Sequence, residues 1–261
     1  MADVRMAYKI WSCGVLIASL LVPSVVLAEK QEEELAPGFN ICQKRADEAK
    51  TTPEYRGAIN ECYAAASEYW ESIINKKNEA YKKRYDGSPE KQQKVTNFHQ
   101  AWIEYRGAEV DLVSADGGTM QITMCPYFYA VLTKRMARLL ESGLLEIHED
   151  ELAPGFNICV KQAVSFKDYT DFIGALGGCL GSAQRYWETV LNDKNKSFME
   201  SYASHPSKQQ CVTASQDAWI KYRDAGIDLI LADGGNLQAI RALYFAAGET
   251  RRQAGTGYRG D

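Results

Sequence analysis

Residues 101–118 read AWIEYRGAEVDLVSADGG, and residues 218–235 read AWIKYRDAGIDLILADGG. The Trp, the Tyr-Arg pair, the Asp-Leu pair and the closing Ala-Asp-Gly-Gly hold their places in both. Their apolar positions recur three and four residues apart, the spacing of one helix face, and almost nothing alternates with period two. Asp-Gly-Gly then supplies residues that tolerate the left-handed backbone at which a helix ends. A stretch of this kind, met twice, makes the chain helical and duplicated.

Working outward, a shift of 117 residues lays 35–144 on 152–261 without a gap, with about 48 of 110 positions identical. LAPGFNIC opens both copies, and the YWE at 69–71 returns at 186–188. A unit of this length is a domain rather than a solenoid turn. The expected fold class is all-α: two tandem small helical bundles, disulfide-stabilised, at 35–144 and 152–261, joined by a linker at 145–151. In the first copy a short leading helix is expected near 39–49. A long helix follows between Tyr55 and Tyr85, with the stripe Ile59, Tyr63, Ala66, Trp70, Ile73 and Ile74. A second long helix, from about 90 to 114, buries Val95, Phe98, Trp102, Tyr105, Leu112 and Val113. The next, capped by Thr119 or in the second copy Asn236, turns Ile122, Tyr127, Leu132 and Leu139 inward. In that frame Trp102 and Trp219 read as core residues rather than exposed binding aromatics.

Residues 1–28 carry Arg5 and Lys9, a short apolar run and a Val-Leu-Ala end before Glu29. This is the pattern of a secretory signal, and the run is too short for a membrane span. Residues 29–34 read as an acidic lead-in. The expected location is periplasmic or secreted, with no integral membrane insertion after cleavage. Net charge is −4, spread over both copies, which lacks the cationic footprint of a nucleic-acid binder. The lysine-rich run from Lys76 to Arg84 is not shared by the second copy and reads as a solvated helix face.

Six cysteines follow the leader, an even count in an exported chain. Cys42 with Cys62, and Cys159 with Cys179, fit a bond across a helical hairpin. Cys125 and Cys211 have no counterparts, since Lys94 and Ala242 stand at the equivalent positions. They either bridge the two copies, stay free, or bond to another molecule.

The chemistry-bearing residues do not converge on a reaction. His99, His148 and His205 are scattered, whereas zinc needs clustered ligands. Gly174, Gly177, Gly178 and Gly181 fall on a helix rather than behind a strand, which excludes a phosphate loop. No cofactor is expected. Glu71 and Glu188 recur, and paired carboxylates can hydrolyse glycosides. Structural ion pairs Glu71–Arg106 and Glu188–Arg223 explain the same residues, so no catalytic set is assigned.

The Ala-Trp-Ile-x-Tyr-Arg, Asp-Gly-Gly and Thr-x-Arg series, the last at Thr133–Arg135 and Thr250–Arg252, resembles the LprI-like lysozyme-inhibitor domain family, once per copy. Its signature positions here are Trp102, Tyr105, Arg106, Gly117 and Gly118, then Trp219, Tyr222, Arg223, Gly234 and Gly235. The resemblance implies exported helical domains with a cysteine soon after Tyr-Arg bonded to one after Gly-Gly. Val110 and Ile227 stand at the first position; Cys125 keeps the second in one copy and Ala242 replaces it in the other. That bond is therefore absent from both. The function implied is a non-enzymatic exported binding protein that inhibits lysozyme in the cell envelope. The alternative is an envelope scaffold that binds another protein or a cell-wall component through its duplicated domains. The loops 85–89 and 203–206 and the Gly-Gly turns are the candidate binding elements, because loops carry recognition more often than buried faces.

Overall fold

The computed structural model describes residues 34–115, 117–118, 120–144 and 152–255. The leader at 1–28, the lead-in as far as residue 33, the linker at 145–151 and the Thr119 cap lie outside the described residues. What is described is helical throughout, with no strand among these residues. The first copy holds α1 (Phe39–Asp47), α2 (Thr52–Arg84), α3 (Pro89–Ser114) and α4 (Gln121–Glu141). The second holds α5 (Phe156–Val164), α6 (Tyr169–Ser201), α7 (Pro206–Leu231) and α8 (Asn236–Gly255).

The repeated sequence features explain the repeated local structure. The Gly of each LAPGF sits at positive φ, 82° at Gly38 and 79° at Gly155, and turns the chain into the short helix. The Trp70 indole N–H donates to the Leu35 carbonyl at 2.7 Å, and Trp187 repeats this to Leu152 at 2.6 Å. LAPGF and Tyr-Trp-Glu thus recur together because one pins the other. Thr51 and Glu54 form a capping box at the start of α2. Its counterpart Asp168 caps α6 through the N–H groups of Thr170 and Asp171. Gly117, Gly118, Gly234 and Gly235 all hold positive φ, as the Gly-Gly stop requires.

Disulfides Cys42–Cys62 and Cys159–Cys179 staple each short helix to the long one, with Cα atoms 5.7 Å apart in both. Each closes a 20-residue loop, a constraint that stabilises by about 3 kcal/mol. Cys125 and Cys211 are not bonded to each other. Cys125 lines a groove built entirely from first-copy side chains, among them Ala64, Val110 and Tyr129, while Cys211 sits in the second turn of α7. The bridge between the copies considered from sequence is therefore not made.

One inward face differs from the expected one. The buried side of α4 is Ala130, Thr133, Met136, Ala137, Leu139 and Leu140. Ile122 and Tyr127 are exposed. Tyr127 lies off that stripe and meets the edge of Tyr63, with ring centroids 5.5 Å apart. Ile122 lies in the first turn, where the Asn60 side chain of α2 donates to its carbonyl at 3.2 Å while its own side chain stays exposed. Asn236 is the first residue of α8 rather than a cap ahead of it; the Gly235 carbonyl accepts from Gln238 and Ala239.

The two copies do not stand apart. Helix α3 packs along α7 in antiparallel sense, with Phe98 stacked on Tyr222 and Glu109 bonded to Ser215. Tyr105 and Tyr222, equivalent residues, stack on each other at 5.3 Å and 13°. Equivalent residues in mutual contact mark an approximate twofold axis, and here it passes between these two rings. The largest core cluster draws on both copies, from Trp70, Phe98 and Trp102 to Trp219, Tyr222 and Phe245. The doubled stretch quoted at the outset is the seam of the molecule.

Candidate functional site

The signature arginines turn toward their own copies. Arg106 is buried, 3.0 Å from the Thr133 hydroxyl and 2.9 Å from the Glu71 carboxylate. Its guanidinium lies between two rings, 4.3 Å from the Trp102 centroid and 3.9 Å from that of Tyr129. Tyr129 donates its hydroxyl to the same Glu71 oxygen, Oε1, at 2.8 Å. Burial and this bond to a carboxylate both push the Tyr129 hydroxyl above its ordinary range. The recurring Thr, Arg and Glu are thus one network, which the sequence reading found only as the ion pair.

The second copy keeps the pair and loses the sandwich. Arg223 is 3.2 Å from Glu188 and also holds Asp224 at 2.8 Å. It lies 4.9 Å from the Trp219 centroid, and Ala246 stands where Tyr129 would close the other side. Thr250 bonds back to the Ala246 carbonyl. Both carboxylates are therefore engaged by arginines of their own copy.

Beside the first arginine the surface opens into a groove of about 440 Å³ between α2 and α4. Ala64, Val110, Pro126 and the Tyr129 ring make its apolar lining, and Glu68, Glu71 and the Cys125 thiol add polar groups. Burial and the nearby Asp111 carboxylate push the Cys125 thiol above its ordinary range, which keeps it protonated at neutral pH. The second copy lines the equivalent place with different side chains. Leu243 replaces Pro126 and packs where a side chain at Gly177 would meet it at 3.7 Å. Arg185 replaces Glu68, and a side chain at Gly181, the counterpart of Ala64, would meet its guanidinium at 3.4 Å.

A second polar cluster lies on the seam. Glu249 is buried and bonded by Arg135 of the first copy and, at 3.3 Å, by Arg252 of its own. Burial pushes the Glu249 carboxyl up, but the two guanidiniums and their hydrogen bonds outweigh it and hold it below the usual carboxylate range. Arg252 also donates to the Tyr105 hydroxyl at 3.0 Å, and Tyr105 donates to Gln253 at 2.8 Å. Gln253 in turn donates to Glu109. Burial raises the Tyr105 and Tyr222 hydroxyls far out of the physiological range. Every member is held by another, which makes this cluster a structural joint.

The loops singled out from sequence fare unequally. Tyr85, at the head of loop 85–89, is buried, and the neighbouring Arg84 bonds Asp233 of the second copy at 2.6 Å. That loop and the Gly234–Gly235 turn brace each other across the seam. Loop 203–206 is exposed in most of its length, and His205 precedes α7. The groove beside Tyr129 was not anticipated. Its signal was present as the difference between Glu68 and Arg185, and between Tyr129 and Ala246. Among the described residues no group of three His, Cys, Asp or Glu side chains is placed to hold a metal ion.

The family profile for the lysozyme inhibitor LprI matches residues 42–140 and 174–256, one segment in each copy. No curated protein and no solved structure matches the chain.

Proposed function

The chain belongs to the LprI lysozyme inhibitor family, and from that premise we propose that it is an exported, non-enzymatic protein that binds lysozyme and blocks its cleft. The family match, falling once on each copy, is the observation that carries this reading. Lysozyme cuts glycosidic bonds between two carboxyl groups in an open cleft. A protein seated across that cleft inhibits without chemistry of its own. A chain of net charge −4 approaches a cationic enzyme with electrostatic help, which raises the association rate and makes it sensitive to salt.

Two stapling disulfides support work outside the cytoplasm, because such bonds persist in oxidising compartments. The leader read at residues 1–28 would deliver the chain there. No described helix is long and apolar enough to cross a membrane. A scaffold acting by avidity would need two like surfaces, and the paired places beside Arg106 and Arg223 are unlike in shape and charge. The test is a cell-wall lysis assay with purified protein against several lysozymes. The expected result is a dose-dependent fall in lysis rate; full lysozyme activity under a large excess of the protein would end the reading.

A further inference from the structure

We propose that the groove between α2 and α4 is the contact site for a basic partner protein, and that it receives an arginine side chain of that partner. This rests on the lysozyme-binding reading and adds to it the site and the chemical group recognised. Three features of the groove converge. Its lining of Ala64, Val110 and Pro126 suits the aliphatic stem of a long side chain, and its volume of about 440 Å³ exceeds what one such side chain needs. Its uncompensated negative charge is that of Glu68, since Arg106 already balances Glu71. The Arg106 and Tyr129 bonds to Glu71 both fall on Oε1, so Oε2 of this part-exposed carboxylate remains for a further donor. Finally, Tyr129 lines the groove and already stacks on one guanidinium, that of Arg106.

The second copy provides the complementary observation. At the equivalent place it carries a guanidinium of its own, Arg185, lying against Gly181 where the first copy has Ala64. The same framework therefore carries an exposed guanidinium in one copy and an open groove, with the charge reversed, in the other. An arginine suits the open version better than a lysine: the planar fork can stack on Tyr129 and donate to a carboxylate together, which a compact ammonium does not do.

The experiment titrates the full chain with a cationic lysozyme, and separately with a short arginine-rich peptide, by calorimetry. The variants are Glu68→Arg and a Cys211→Ser chain whose Cys125 carries a bulky maleimide, with Arg185→Glu as the control; circular dichroism checks the fold of each. Labelling is run at mildly alkaline pH because the Cys125 thiol resists ionisation. We expect Glu68→Arg to weaken both ligands at least tenfold, the Cys125 adduct to abolish binding, and Arg185→Glu to leave the Kd within about twofold. If lysozyme binds every folded variant equally well, the groove assignment is overturned while the family reading stands. If lysozyme does not bind but the peptide does, in a way that depends on Glu68, the groove assignment stands and the lysozyme reading falls. If neither ligand binds, the groove assignment is overturned. Concentration-dependent dimerisation of the chain that the Cys125 adduct prevents would overturn it in favour of a second copy as occupant.

Discussion

Two equivalent contacts lie on either side of the twofold axis between Tyr105 and Tyr222, and they are filled in opposite ways. On one side Phe98 of the first copy packs over Gly226 of the second; a side chain at Gly226 would meet the Phe98 ring at 3.0 Å and the Phe245 ring at 2.4 Å. On the other side the counterparts are Ser215 and Glu109, and they hydrogen-bond to each other. A large ring against no side chain faces a hydroxyl against a carboxylate. Two identical first copies would bury Phe98 against Glu109, which leaves a charge without its partner. Two identical second copies would place Ser215 against Gly226 and leave a void. Each half has become specific for the other, so the duplicated chain is a single body with two distinct roles. The first copy keeps an open, acidic groove; the second carries Arg185 and Leu243 in its place and supplies Glu249 to the seam.

The most forceful way to break this arrangement is Glu249→Leu. It leaves Arg135 and Arg252 facing each other without the carboxylate between them, and should cost about 3–5 kcal/mol of unfolding free energy in a urea titration. Next comes Gly226→Ala. Its new methyl overlaps the Phe245 ring, and overpacking of this kind costs about 1–3 kcal/mol, readable as a lower Tm. An alanine at Glu109, the equivalent residue, instead deprives Ser215 and Gln253 of an acceptor.

A smaller effect separates the two signature arginines. Arg106→Met removes a buried guanidinium from between two rings and should cost about 2 kcal/mol. Arg223→Met has one ring and more exposed partners and should cost less than about 1 kcal/mol; equal costs would remove the distinction drawn between the two copies. The gentlest probe is pH. Glu249 has a folded-state pKa below its ordinary value near 4.5. Its contribution is fully present above that value and is lost as pH falls through the depressed folded value. Acid unfolding should therefore begin below pH 4.5, and the Glu249→Leu chain should lack that component of the acid loss.

The sequence carried the helices, the duplication and the two stapling bonds, because each leaves a local and repeated mark: apolar spacing, the 117-residue offset, and cysteines 20 residues apart. It also carried the Arg106–Glu71 and Arg223–Glu188 pairs. It did not carry the seam. Tyr105 and Tyr222 fit an ordinary core stripe, and nothing in their spacing says that each faces its own counterpart. Ile122 and Tyr127 are exposed although apolar, because hydrophobicity alone does not say which positions of a helix a neighbour covers. Counting leaves Cys125 and Cys211 over with three possible fates, and only the structure shows them unbonded, on α4 and α7. The groove itself is not legible in the sequence: Glu68 against Arg185 and Tyr129 against Ala246 mark where the copies differ, but only the placement of α2 beside α4 makes a groove of that difference.

The most direct measurement is the stoichiometry of lysozyme binding to the full chain by titration calorimetry. A fused body with one open groove predicts one lysozyme per chain, with the same ratio in the Arg185→Glu variant. Two lysozymes per chain would contradict the division of roles between the copies, and no binding at all would contradict the function proposed for the molecule.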